Sequence, residues 1–144
     1  LLWTENGGRS WSFSNVPVVG GAAAGLTTVD FLDGRRGIAL GGVIGQDTVR
    51  VDNVTVTSDG GRVWTLGGRP AMRGPVYGAS WVPDAPTPTV FAVGPGGADY
   101  STDGGASWQT AAQETYWAVS FASLGAGWAV GPEGRITHFG FGGG

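Results

Sequence analysis

Short apolar runs alternate with polar, glycine-rich breaks along the whole chain. Ile38-Ala39-Leu40-Gly41-Gly42, Val90-Phe91-Ala92-Val93-Gly94 and Gly127-Trp128-Ala129-Val130-Gly131 are apolar stretches that end in glycine. A second run precedes each: Val29-Asp30-Phe31-Leu32, Val76-Tyr77-Gly78-Ala79-Ser80-Trp81 and Trp117-Ala118-Val119-Ser120-Phe121. Runs this short, alternating or wholly apolar, read as half-buried or buried strands. No segment carries a 3.6-residue apolar period. The pattern predicts strand, strand, strand, turn, strand, repeated.

The turns repeat as well. Thr4-Glu5-Asn6-Gly7-Gly8-Arg9-Ser10-Trp11, Thr57-Ser58-Asp59-Gly60-Gly61-Arg62-Val63-Trp64 and Ser101-Thr102-Asp103-Gly104-Gly105-Ala106-Ser107-Trp108 share the pattern [Ser/Thr]-x-[Asp/Asn]-Gly-Gly-x-x-Trp. The tryptophans stand 53 and 44 residues apart, close to the ~40–50 residues of one propeller blade. Each position has a physical role. The Asp carboxylate, or the Asn6 amide in its place, accepts backbone N–H groups of its own turn. The glycine pair adopts positive φ without Cβ strain. The tryptophan opens the next strand and is expected to bring a large apolar plate to the packing between sheets.

These residues resemble the Asp-box, or BNR, repeat of sialidase-like propellers. With the Gly127–Gly131 strand, the chain looks like the propeller family of photosystem II assembly and stability factors and their bacterial relatives. The resemblance spans nearly the whole sequence. It implies an all-β propeller of four-stranded antiparallel blades. About three are expected: the end of one blade at 1–13, blades at 28–66 and 75–110, and a last blade at 115–141 lacking its final strand. Three blades are too few to close a ring, so the chain is expected to be the C-terminal part of a larger propeller, or one of two chains completing it. The resemblance further implies a non-catalytic scaffold, extracytoplasmic (periplasmic or lumenal) and peripheral to a membrane. It would bind a protein partner, such as a membrane-embedded photosynthetic complex. The boxes would be structural and lie at the blade periphery.

Composition narrows the alternatives. The chain has 144 residues, 29 Gly and 8 Pro, yet it is 41% hydrophobic with seven Trp. Disordered chains lack such aromatic content, so the glycines read as turn punctuation. Net charge is −3, and all eight basic residues are Arg, in no run that would track phosphates. No apolar stretch approaches a membrane span. With no Cys and one His, neither a disulfide framework nor a thiolate metal site is available.

His138, alone in the last strand, has no marked catalytic partner. Asp47 and Asp52 bracket a loop without calcium-loop spacing. Gly94-Pro95-Gly96-Gly97 lacks the Lys of a phosphate loop. No cofactor or metal is therefore expected. Asp59 and Asp103 could suggest a sialidase-like glycoside hydrolase, the alternative function, with catalytic residues partly in blades beyond this sequence. Their repeat places them in equivalent turns on different blades, too far apart to act as a pair. Segments 14–27 and 67–75 read as inter-blade loops. In the second, Arg69, Met72 and Arg73 beside Pro70 and Pro75 form a candidate partner-contact patch, since Arg and Met are enriched at interfaces. Gly140–Gly144 reads as a flexible tail.

Overall fold

The structure, a computed structural model, describes residues 1–142. Among the described residues thirteen strands form four antiparallel sheets, each strand pairing with its neighbour in sequence. A hairpin comes first: β1 (Leu2–Trp3) with β2 (Ser12–Phe13). A four-stranded blade follows: β3 (Ala24–Phe31), β4 (Gly37–Val43), β5 (Val54–Thr57) and β6 (Thr65–Leu66). The middle blade holds β7 (Gly78–Trp81), β8 (Val90–Gly94), β9 (Gly97–Ser101) and β10 (Gln109–Ala112). The last sheet holds β11 (Ala118–Ser123), β12 (Ala126–Val130) and β13 (Ile136–Phe139). The only helical element among the described residues is one 3₁₀ turn, Pro132–Gly134. The chain is an all-β propeller segment of about three blades.

Burial explains the strand chemistry. β8 is buried along its whole length, and β4 along all but its last residue. Each lies second in its sheet, and β8 has a neighbouring blade against both faces, so a continuous apolar run fits it. β12 has similar composition but alternates: Ala129 is buried while Trp128 and Val130 are not. Only one of its faces is covered.

The cores lie between blades. Ile38, Leu40 and Val54 of the first blade meet Val76, Trp81, Val90 and Ala92 of the middle one. Phe91, Val93 and Ala98 of the middle blade meet Tyr116, Phe121 and Ala129 of the last. Polar clips bridge the same seams. Trp81 N donates to Asp30 Oδ2 (2.9 Å) and Val76 N to the Gly41 carbonyl (2.8 Å). One seam on, Phe121 N donates to Ser80 Oγ (3.0 Å) and Tyr116 N to the Gly94 carbonyl (3.1 Å). Gly94 is required there, because a Cβ would stand 2.2 Å from the Pro75 oxygen.

Two expectations change. β3 begins at Ala24, inside the segment read as a loop, with a register shift between Leu26 and Thr28. The bulge lets a Gly/Ala-rich stretch continue the strand without alternation. The tail is also partly built in. Phe141 N donates to the Leu124 carbonyl (2.8 Å), and its ring lies 5.2 Å from Tyr100 and 5.8 Å from Phe121, sealing the second core. Gly143 and Gly144 of that segment lie outside the described residues.

Candidate functional site

The three Gly-Gly turns share one hydrogen-bond scheme. In the first full blade, Asp59 Oδ1 accepts the Thr57 hydroxyl (2.9 Å) and the N–H groups of Arg62 (3.0 Å) and Val63 (2.9 Å). Gly61 N donates back to Thr57 Oγ1 (3.0 Å). In the middle blade, Asp103 Oδ1 accepts Ser101 Oγ (2.7 Å), Ala106 N (3.1 Å) and Ser107 N (2.9 Å). Its Oδ2 takes the Ser107 hydroxyl at 2.6 Å. Asn6 reproduces the scheme, accepting the Thr4 hydroxyl (3.0 Å) and Ser10 N (2.9 Å) and donating Nδ2–H to Ser10 Oγ (2.7 Å). The glycine pairs all hold positive φ: Gly7 and Gly8 at 69° and 86°, Gly60 and Gly61 at 77° and 90°, Gly104 and Gly105 at 75° and 92°.

This saturation shifts the acids. The Ser107 hydroxyl and then its N–H, with Ser101, lower Asp103 to about 2. The Val63 N–H, then the Thr57 hydroxyl, lower Asp59. Both therefore sit ionised within their own turns, as turn-closing acceptors do. Neither has the raised pKa of a glycosidase acid. A fourth turn of this kind escaped sequence reading. Asp33, between β3 and β4, accepts Arg36 N (2.7 Å) and Arg35 N (2.8 Å), which lower it to about 2. Its Asp-Gly dipeptide was the available signal.

The tryptophans diverge. Trp64 is buried, edge-on to Phe31, with Nε1 donating to the Gly61 carbonyl (2.9 Å). Trp108 is half-buried and donates across the seam to the Gly68 carbonyl (3.0 Å). Trp11 departs from the expected plate: it is 59% exposed, with no aromatic ring of a described residue against it as Phe31 stands against Trp64. Its Nε1 still closes onto the Gly8 carbonyl (3.1 Å).

The candidate contact patch is split. Met72 is buried and packs in the first core, and reaches the surface only as part of the lining of a concavity described below. The cause lies on β9: buried Asp99 accepts Met72 N at 2.7 Å and draws that backbone inward. Asp99 Oδ1 has no partner among the described residues, and burial raises its pKa despite the N–H groups of Met72 and Ala71. Arg69 remains at the surface, paired through Nε with Asp52 Oδ1 (2.8 Å). Arg73 is exposed and forms no ion pair with another described residue.

The link carrying these residues is clamped on both sides. Arg50 donates to the Pro70 carbonyl (2.7 Å) and Gly74 N to the Val49 carbonyl (3.0 Å). A Cβ on Gly96 would stand 2.0 Å from the Arg73 oxygen. The β4–β5 loop, the 67–77 link, the β8–β9 turn and the 113–117 link all lie at the same end of the blades. There they frame a concavity of about 390 Å³ lined by Asp47, Ala71, Met72, Arg73, Gly96, Thr110 and Gln113.

The remaining polar candidates have local partners. His138 stacks across the strand pair on Trp128, ring centroids 4.8 Å apart, with Nε2 2.9 Å from the Gly125 carbonyl. Asp52 holds Arg69, and Asp47 lies at the rim of the concavity. Among the described residues, no three His, Cys, Asp or Glu converge as a metal site would require.

No protein-family model matches the chain, and no curated protein does. Among solved structures, the chain resembles one described as YCF48 bound to D1 peptide, with a TM-score of 0.63 and 18% identity. The match covers 88% of this chain and 40% of that one, so the chain spans well under half the length of the structure it resembles. At this identity the likeness shows a shared β-propeller fold.

Proposed function

We propose that the chain is a non-catalytic protein-binding scaffold that receives a segment of its partner at the loop end framed by the 67–77 and 113–117 links. The observation that carries this reading is the clamped concavity beside Arg73. An exposed, unpaired guanidinium stands on backbone held from two blades, so its position is set before binding and little ordering entropy is lost on contact. The likeness to YCF48, a propeller captured with a D1 peptide, supports a peptide or protein ligand over a small molecule. The repeated turns are, on this reading, Asp-box hairpins whose carboxylates serve the fold. That leaves Asp59 and Asp103 unsuited to a sialidase-like role. We further propose an extracytoplasmic location at a membrane surface, as an accessory or assembly subunit of a membrane complex such as a photosynthetic one.

Affinity purification of the full-length native protein, followed by mass spectrometry, tests the reading. The expected result is one stoichiometric protein partner whose recovery falls when Arg73→Ala is introduced and is unaffected by Asp59→Asn. Recovery of no partner, together with turnover of a fluorogenic sialoside or other glycoside, overturns it.

A further inference from the structure

The three Gly-Gly turns share one scheme, but the first carries an amide where the others carry a carboxylate. Asn6 Oδ1 accepts the Thr4 hydroxyl (3.0 Å) and Ser10 N (2.9 Å). In the middle blade Asp103 Oδ1 accepts the equivalent Ser101 hydroxyl (2.7 Å) and Ser107 N (2.9 Å). The two turns differ at the second atom of the head group. Asn6 Nδ2 donates to Ser10 Oγ at 2.7 Å, whereas Asp103 Oδ2 accepts the Ser107 hydroxyl at 2.6 Å. Ser10 and Ser107 hold the same place in the repeat. A carboxylate at position 6 therefore needs one change around it, rotation of the Ser10 hydroxyl proton toward the new oxygen. It would then take the charge-assisted bonds that an amide lacks.

The chemistry for that replacement lies in the next residue. Asn6 precedes Gly7, which has no Cβ to hinder attack of its backbone nitrogen on the Asn6 side chain. Gly7 stands at φ 69°, and no atom lies within 4 Å of where its Cβ would be. Asn6 is exposed. That exposure belongs to the turn itself, since Asp103 is exposed too, in a blade packed on both sides. The Thr4 hydroxyl and the Ser10 N–H both meet Oδ1, where negative charge collects when a nucleophile adds to Cγ. The other asparagines, Asn15 and Asn53, are each followed by valine, whose branched Cβ obstructs the same attack.

We propose that Asn6 is a self-modification site, which deamidates to aspartate and so completes the first turn with a carboxylate like those of the other two. The Gly7 nitrogen loses its proton to solvent base and bonds to Asn6 Cγ. The Cγ–Nδ2 bond breaks, and the side-chain nitrogen takes a proton from solvent and leaves as ammonia. The product is a cyclic succinimide. Water then opens the ring at Cγ to give aspartate, or at the main-chain carbonyl to give isoaspartate; no oxidant or reductant takes part. Isoaspartate adds a methylene to the backbone and moves the carboxylate away from the Thr4 and Ser10 donors. The turn therefore favours aspartate.

Peptide mapping by mass spectrometry tests this on the full-length protein, incubated at mildly alkaline pH in native buffer and, in parallel, in urea. In native buffer Asn6 should convert while Asn15 and Asn53 persist. Isoelectric focusing should show the gain of one negative charge, and aspartate should exceed isoaspartate. In urea the ratio should shift toward isoaspartate, which an isoaspartyl methyltransferase assay counts. Ser10→Ala, which deletes one donor to the new carboxylate, should shift the native ratio the same way. Asn6→Asp, the finished product, should keep the native circular dichroism and melt at or above the parent at neutral pH. Asn6 left unconverted in native buffer overturns the proposal. So does a product ratio that neither urea nor Ser10→Ala moves, or an Asn6→Asp variant that melts below the parent.

Discussion

Truncating Trp64 to alanine removes the indole that closes the turn of the first full blade. Trp64 is 7% exposed, so nearly all of its ~150–250 Å² is withdrawn from water on folding. At ~25 cal/mol per Å² the burial contributes about 4–6 kcal/mol, of which alanine's own carbon retains a small part. The edge-on contact with Phe31 and the bond from Nε1 to the Gly61 carbonyl are lost with it. Partial collapse of the cavity brings the expected cost of Trp64→Ala to ~3–5 kcal/mol. In a domain of this size that lowers the melting temperature by ~10–15 °C. The same substitution at Trp11, 59% exposed in the equivalent turn, should cost under ~1 kcal/mol, with half-buried Trp108 between them. Urea unfolding of the three variants, read by circular dichroism, measures the series, and a constant m-value licenses the comparison. Equal midpoints for Trp11→Ala and Trp64→Ala would show that these turns contribute through their local hydrogen bonds and not through inter-sheet packing.

Four further outcomes follow from the same geometry. The Asp103 carboxylate is held near 2, below its unfolded value near 4, so its contribution is present above pH ~4 and lost as pH falls toward 2; stability of Asp103→Asn should fall less steeply over that window in acid titrations of the unfolding free energy. Asp99 is shifted the other way by burial, so its ionisation weakens the fold as pH rises; Asp99→Asn, which keeps an acceptor for Met72 N, should gain more at pH 7 than at pH 4 in the same titration. Asp99→Leu strands that N–H and should cost ~1–3 kcal/mol in chemical denaturation. Gly61→Ala forces a Cβ onto φ 90° and should destabilise by ~1 kcal/mol or more in thermal melts, whereas Gly34→Ala, with open space around it, should stay within ~0.5 kcal/mol.

The strands and turns were legible because their causes are local. Asp59-Gly60-Gly61 and Asp103-Gly104-Gly105 carry their own acceptors and their own freedom at positive φ, and Val90–Gly94 carries a buried strand in its composition. What escaped is set by distant partners. Met72 sits between prolines in a polar link and looks like surface, but a carboxylate 27 residues later pulls it under. Trp11 has the same local turn as Trp64 and, among the described residues, lacks the aromatic partner that Phe31 gives Trp64. Phe141 is a lone aromatic in a glycine-rich tail, with nothing nearby to show that Phe91, Tyr100 and Phe121 await it. The inter-blade clips through Asp30 and Ser80 depend on register between sheets, which no single stretch of sequence encodes. Arg73 is separated from Arg69 and Met72 only by the clamp on the link, a feature of the β4–β5 loop and Gly96 rather than of the patch itself.

Site-specific photocrosslinking from position 73 tests the binding account most directly. A photoreactive residue replaces Arg73, or Gln113 across the concavity, in the full-length protein in its native source, with Thr102 on the middle-blade turn as the control position. The account predicts one discrete protein adduct from position 113, a weaker adduct of the same partner from position 73, where the guanidinium is lost, and none from position 102. Adducts of equal yield at all three positions, or none at any, would contradict it.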